Sequence, residues 1–218
     1  MKILLSRLGA HYRVTGSVGT EQNINVVQII SHENYHKPNT YSNDIALLKL
    51  AKPATLGRGV GLVCLSHPSN VLPIGNLNKK CWITGWGTLS SGGSQPNVLM
   101  QASVPLVSKS DCLKAYPNKI DDTMLCAGLD QGGVDACQGD SGGPLVCEFN
   151  GRWYLEGATS WGYGCAAPKK YGVYAHVGNL RSWVLSKTGS IIPPTPPPPA
   201  TTAPPATPPP PTSVPSSG

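Results

Sequence analysis

The stretch Asp135-Ala136-Cys137-Gln138-Gly139-Asp140-Ser141-Gly142-Gly143-Pro144 carries the densest chemical signal in the chain. A serine flanked by glycines sits on backbone free to make tight turns, with its hydroxyl and the neighbouring N–H groups exposed. Two such N–H groups aimed at one point stabilise the oxyanion formed when a hydroxyl attacks a carbonyl. A Gly-Ser-Gly turn alone is commonly no more than a hairpin corner. The full ten-residue string is far more specific.

On either side of that string the pattern is strand-like. Short β-rich runs occur at Asn23–Ile30, Ile45–Leu50, Cys81–Trp86, Val98–Val107, Arg152–Trp161 and Gly172–Val177. Gly, Pro and Asn punctuate the gaps, which predicts an all-β sandwich or barrel. Two helices are expected. Ser108-x-x-Asp111 reads as a capping box opening a short helix to about Tyr116. Val177–Lys187 puts Val177, Leu180 and Val184 on one face and suits a terminal helix.

Composition narrows the function class. The chain has 218 residues, 39% apolar and only 13% charged. No apolar run approaches the roughly 18 residues of a membrane-spanning helix. The net charge of +6 is scattered, with no dense basic run or interleaved aromatic stripe, which argues against nucleic-acid binding. Thirteen of the 22 prolines fall in the uncharged segment Pro193–Gly218. That segment cannot bury enough apolar surface to offset its ordering entropy and reads as an extended or disordered linker or O-glycosylated stalk.

Seven cysteines, with no Cys-x-x-Cys pair and no neighbouring Cys/His cluster, argue against zinc. Their wide spacing fits an oxidised, extracellular framework, with buried cytosolic thiols as the alternative. The odd count leaves one cysteine wanting a partner beyond this chain. Only Ile3-Leu4-Leu5 follows Met1-Lys2 before Ser6-Arg7, too short for a signal-peptide core, so Met1 is read as not the true start.

The string Gly139-Asp140-Ser141-Gly142-Gly143-Pro144 resembles the nucleophile motif of the trypsin/chymotrypsin family of serine endopeptidases. Asn43-Asp44-Ile45-Ala46-Leu47-Leu48 resembles the segment carrying that family's catalytic aspartate. Cys81-Trp82-Ile83-Thr84-Gly85-Trp86-Gly87 resembles the strand opening its second barrel. Ser160-Trp161-Gly162 and Tyr171-Gly172-Val173-Tyr174 resemble its substrate-binding edge and pocket wall. The resemblance covers about residues 5 to 187.

That resemblance implies a double six-stranded antiparallel β-barrel, with the first barrel incomplete, the second intact and a C-terminal helix. The expected divisions are 1–76 for the first barrel remnant and linker, 77–188 for the second barrel and 189–218 for the Pro/Thr-rich segment. Ser141 becomes the nucleophile, Gly139 and Ser141 the oxyanion-hole donors, and Asp44 the group that orients a histidine base. Asp135 becomes the floor of the primary specificity pocket, at whose lip Ser141 sits. A carboxylate in a low-dielectric slot selects a cationic side chain, so cleavage after Arg or Lys is implied. Ser160, Trp161, Gly162 and Gly172 complete the substrate-binding set. Ala136 stands where trypsin-like members often carry serine, and the lost hydroxyl should disfavour Lys more than Arg.

Two parts of the pattern are absent. Asp44 and Ser141 lie 97 residues apart, near the family's roughly 93, but the histidine should precede the aspartate by roughly 45. None of the five histidines, His11, His32, His36, His67 and His176, sits in the family's Ala-Ala-His-Cys context. The family's mature amino terminus, which pairs with the aspartate before the nucleophile, is also missing. Asp140 occupies that zymogen-switch position, and without its counter-charge the loop is expected to be zymogen-like and poorly formed. The expectation is a chain without catalytic activity, truncated at an internal methionine. The alternative is a non-catalytic homologue acting as a binding or decoy module.

The resemblance also implies the disulfides Cys81–Cys147, Cys112–Cys126 and Cys137–Cys165. It leaves Cys64 to tether a propeptide or light chain. The expected partners are protein or peptide substrates with Arg or Lys at the cleavage site. No cofactor is implied. Some family members bind calcium near the segment Leu8–Glu21, but Ala10 replaces a carboxylate and Arg13 adds positive charge there, so no strong metal site is expected. Tyr171 stands where sodium-sensitive members carry tyrosine.

Overall fold

The computed structural model describes residues 4–67 and 81–189. The division near residue 76 and the Pro-rich segment from residue 190 onward lie outside the described residues. The first three strands are β1 (Leu4–Leu8), β2 (Gln22–Ser31) and β3 (Ala46–Leu50), antiparallel in the order β1-β2-β3. β2 owes its length to Ile24, Val26, Val27, Ile29 and Ile30, β-branched side chains that pack well on a pleated surface. Ile24 is buried at 2% exposure, but the directly opposed pair Ile29 and Leu48 is 57% and 51% exposed. This sheet therefore contributes little core of its own.

The second sheet carries the core. It comprises β4 (Cys64–Leu65), β5 (Cys81–Gly85), β6 (Met100–Val104), β7 (Leu106–Val107), β8 (Met124–Ala127), β9 (Pro144–Phe149), β10 (Arg152–Trp161) and β11 (Gly172–His176). The order is β6-β5-β9-β10-β11-β8-β7, and β4 joins β10 in parallel. The sequence reading of one strand over Val98–Val107 is corrected here. Pro105 has no N–H to give to a ladder and divides the segment, so β6 pairs with β5 while β7 pairs with β8. The carbonyl of Pro105 accepts instead from Gly128 N–H at 3.0 Å. One bent segment thus touches both ends of the path and curls the sheet into a barrel.

Two clusters fill that barrel. One gathers Cys81, Ile83, Val104, Leu145, Cys147 and Tyr174, and the other Cys112, Tyr116, Met124, Cys126, Tyr171 and Val173. Each contains a disulfide: Cys81–Cys147, whose Cα atoms are 4.2 Å apart across directly paired positions of β5 and β9, and Cys112–Cys126. Cys137–Cys165 is the third, and Cys64 is free. Closing loops of 66 and 14 residues removes about 4 and about 3 kcal/mol of chain entropy from the unfolded state. Replacing both Cys81 and Cys147 by alanine is expected to lower stability in denaturant titration more than replacing Cys112 and Cys126. The reverse order would show that packing, not loop length, decides.

The first helix, α1 (Lys109–Ala115), has Ser108 as its N-cap: the hydroxyl accepts from Asp111 N–H at 3.1 Å and lies 2.7 Å from the Asp111 carboxylate. The second, α2 (Val177–Thr188), buries Val177, Gly178, Leu180 and Val184 and packs on β10 and β11. No helix among the described residues is long and apolar enough to cross a membrane.

Candidate active site

Asp44 ends the loop that joins β2 to β3. Preceding it, Asn43 adopts φ 55° and is almost buried, its amide donating to the carbonyls of Asn34 and Lys37 at 3.1 and 2.9 Å. Its own N–H donates to Thr123 Oγ1 at 2.9 Å, which fixes the loop against the second sheet. Held this way, the Asp44 carboxylate accepts from Ser160 Oγ, near the end of β10, at 2.5 Å.

Ser141 is exposed, on the loop entering β9. Gly142 N–H donates to Thr159 O at 2.8 Å, and Thr159 N–H donates back to Gly143 O at 2.9 Å. Thr159 therefore pins the serine loop to β10 one residue before the Asp44 partner. Gly139 has φ 100°, and a side chain there would meet the Gln95 amide at 2.4 Å. Neither Gly139 N–H nor Ser141 N–H donates to a protein acceptor among the described residues.

The Asp140 carboxylate faces inward. Gly87 N–H donates to Oδ1 at 2.7 Å and Cys137 N–H to Oδ2 at 3.1 Å. A Cβ at Gly85 or Gly87 would fall 1.9 or 2.3 Å from those oxygens, so the Gly85-Trp86-Gly87 triplet is a cradle that only glycine permits. Two neutral donors hold the carboxylate that was expected to lack a partner, and the loop is closed by Asp140 N–H to Cys137 O and Gly143 N–H to Asp140 O. The carboxylate does not swing to solvent, because hydrogen bonds to backbone N–H groups stabilise its charge.

Asp135 is half-buried. Ala136 N–H donates to Oδ1 at 2.8 Å and Ala166 N–H to Oδ2 at 3.3 Å. Gly172 lies against it: a Cβ there would come within 2.5 Å of Oδ1 and 3.0 Å of the Tyr174 hydroxyl. That hydroxyl is buried without a hydrogen-bond partner among the described residues. The Cys137–Cys165 disulfide, Cα–Cα 5.3 Å, ties the loop bearing Asp135 and Ser141 to the segment following Gly162. Beside Asp135 is a cavity of about 410 Å³ lined also by Asp140, Gly85, Met100, Thr159 and Cys165. Ser141, Trp161, Gly162 and Gly172 do not line it, so this space faces Asp140.

Burial pushes the Asp135 carboxyl up to about 6, helped by the nearby Asp140 charge and opposed by the Ala166 and Ala136 N–H groups. A carboxyl raised on folding binds its proton more tightly in the native state. The contribution of Asp135 to stability is therefore present below about pH 4 and is lost as pH rises through about 6, by at most about 3 kcal/mol given partial solvent screening. The melting temperature of the native chain minus that of Asp135→Asn is expected to fall between pH 4 and 7. A difference that rises or stays flat would contradict this.

The rings of three histidines have contacts away from Asp44 and Ser141: His11 meets Tyr12 edge-on at 5.1 Å, His32 packs on Trp183, and His36 Nδ1 contacts the Thr40 carbonyl. His176 is the N-cap of α2, where burial holds its imidazole below the usual range. His67 follows β4. In the Leu8–Glu21 segment, Glu21 accepts from Ser17 Oγ and from the Val18 and Gly19 N–H groups, and Arg7 lies 3.5 Å away. Those hydrogen bonds hold its carboxyl at about 2.

The serine loop and the half-buried Asp135 thus stand on the second sheet, and Asp44 is held against that sheet from the loop between β2 and β3. The Trypsin family model matches residues 1–184. The chain belongs to the trypsin family. It is 46% identical over 185 residues to Trypsin-3 of Salmo salar, covering 84% of this chain and 73% of that protein. It is 46% identical over 179 residues to Serine protease 1 of Rattus norvegicus, covering 82% and 68%. Trypsin of Sus scrofa gives 46% over 179 residues, covering 82% and 73%. As a trypsin-like serine protease domain, the chain bonds Asp44 to Ser160, while the adjacent Thr159 bonds Gly142 and Gly143, the two residues that follow Ser141. Asp135, Ala136, Gly172 and the Cys137–Cys165 disulfide form a separate group, joined to Ser141 through the 135–141 loop.

Sequence reading missed Thr159 and Gln95, and quoted Tyr174 within the pocket-wall motif without giving it a role. Thr159 was legible only as a strand residue next to a quoted motif. Gln95 sits in a loop with no signal of its own.

Proposed function

We propose that this domain recognises polypeptides through an arginine or lysine side chain bound at Asp135. Ser141 stands as the acyl-transfer nucleophile, Asp44 as the orienting carboxylate, and the Gly139 and Ser141 N–H groups as the oxyanion donors. Asp140 sets the conformation of that loop, and Ser160, Trp161, Gly162 and Gly172 border the bound side chain. The observation that carries the reading is the half-buried Asp135 carboxylate, which has two backbone donors but no cation among the described residues. A fixed negative charge in low dielectric, crowded against a glycine, favours a long cationic side chain.

The 218-residue chain itself binds without cleaving. Proton transfer from the serine hydroxyl needs a base, and the imidazoles of His11, His32, His36 and His176 contact Tyr12, Trp183, Thr40 and Asp122 rather than Asp44 or Ser141. That same engagement favours the second reading, a binding or decoy module. The three disulfides support an extracellular setting, and the free, half-buried Cys64 suits a disulfide to another polypeptide. The proposed divisions are 1–76, 77–188 and 189–218.

Benzamidine and benzamide, alike in shape but not in charge, test the reading. The cation is expected to bind and the neutral amide is not. Equal binding of the two would overturn it.

A further inference from the structure

One residue past Ser160, the surface becomes aromatic. Tyr41, from the loop that ends in Asp44, stacks on Trp161 with ring centres 5.5 Å apart and planes 22° apart. Trp161 meets Tyr116 edge-on at 4.9 Å, and Tyr163 continues the row at 5.8 Å from Trp161. Tyr41 and Tyr163 are 41% and 46% exposed and Trp161 is half-buried, so these three rings form a shelf open to solvent above the buried Tyr116.

The shelf has a charged edge. Lys119 Nζ contacts the Tyr163 hydroxyl and lies 4.8 Å from the centre of that ring. Lys170 Nζ stands 5.3 Å from the Tyr116 ring and 5.8 Å from the Tyr163 ring, and donates to the Ala115 carbonyl at 3.1 Å. No carboxylate among the described residues lies within ion-pair distance of either ammonium. The nearby acids have partners of their own: Asp111 pairs with Lys114, and Asp130 accepts from the Tyr171 hydroxyl. Two cations held over aromatic faces without a counter-ion form a prepared site for an anion.

We propose that Lys119 and Lys170 select substrates bearing an acidic side chain two to four residues from the anchored Arg or Lys, with apolar or aromatic residues between lying on the Tyr41–Trp161 shelf. This rests on Asp135 being the anchor for the cationic side chain. An extended peptide advances about 3.3 Å per residue, so two to four residues cover the 5.8 Å from the Trp161 ring to the Tyr163 ring and the further 4.8 to 5.8 Å to the lysines. The occupant is an extended acidic peptide, because apolar surface next to unpaired ammonium groups matches no neutral or basic segment.

The test is binding of short peptides to the native 218-residue chain, measured by calorimetry at low ionic strength. The probes are acetyl-Glu-Gly-Tyr-Arg-amide and its Gln-for-Glu counterpart, the reversed pair Arg-Tyr-Gly-Glu and Arg-Tyr-Gly-Gln, and acetyl-Glu-Gly-Tyr-citrulline-amide. In one of the two directions the Glu peptide is expected to bind about tenfold tighter than the Gln peptide, a preference lost in the Lys119→Gln/Lys170→Gln double variant and in high salt. The Gln peptide should bind both proteins within about twofold, which also reports that the variant is folded. Equal affinity for Glu and Gln in both directions, or a preference surviving the double substitution, would overturn the proposal. The citrulline peptide separates the two claims. If it binds as well as the arginine peptide, the Asp135 reading fails; if arginine is required but Glu and Gln are equal, only the lysine proposal fails.

Discussion

The purified 218-residue chain is expected to hydrolyse an arginyl ester no faster than its Ser141→Ala variant. Removing the histidine from a serine triad costs roughly 10⁶ in rate, or about 8 kcal/mol of barrier. Here Asp44 is bound by the Ser160 hydroxyl, and the imidazoles of His11, His32, His36 and His176 contact Tyr12, Trp183, Thr40 and Asp122 instead. Tyr35 is the aromatic group that responds to the Asp44 charge: its hydroxyl is raised, first by burial and then by that carboxylate. A phenol with a raised pKa is a poor base at neutral pH. Turnover that disappears on Ser141→Ala would show that one of the chain's own histidines reaches the serine in solution, and inactivity would have to be abandoned.

Asp135→Asn is expected to weaken binding of benzamidine by about a hundredfold to a thousandfold. Removing one partner of a buried charge pair costs about 3–5 kcal/mol, because the other charge stays desolvated without compensation. Asn keeps the volume beside Gly172 but presents no charge. The carboxyl sits at about 6, so affinity in the native chain should fall about tenfold for each pH unit below that value. Fluorescence titration with p-aminobenzamidine follows both effects. A change below threefold in Asp135→Asn would show that the cation is bound elsewhere.

Much of this framework was legible in the sequence because glycine and cysteine carry unambiguous constraints. The Gly139–Pro144 string marked the serine loop, the wide cysteine spacing marked an oxidised chain, and Ser108-x-x-Asp111 marked α1. The β-strands with β-branched or aromatic runs were also visible. β8 and β9 were not: Met124–Ala127 is four residues long, and Pro144–Phe149 begins inside the motif itself. Neither shows an alternating run long enough to read. Pro105 was present in the sequence, but the barrel closure it makes depends on which neighbours the two halves find.

The site was legible as residue identities, not as contacts. Asp140 was expected to lack a partner, and the Gly85-Trp86-Gly87 cradle supplies one from the Gly87 backbone N–H, a group that every residue type except proline possesses. Nothing in the identity of Thr159 announces that it clamps the serine loop. The direction in which the cavity beside Asp135 opens is likewise a product of packing.

A crystal structure of the native chain with bound benzamidine is the most searching trial of the idea that Asp135 serves Ser141. The amidinium should lie roughly 3 Å from the Asp135 carboxylate, with its ring between Gly162 and Gly172 and directed toward the Ser141 hydroxyl. An amidinium lodged instead on the far side, between the carboxylates of Asp135 and Asp140, would separate the acid from the serine and contradict the assignment.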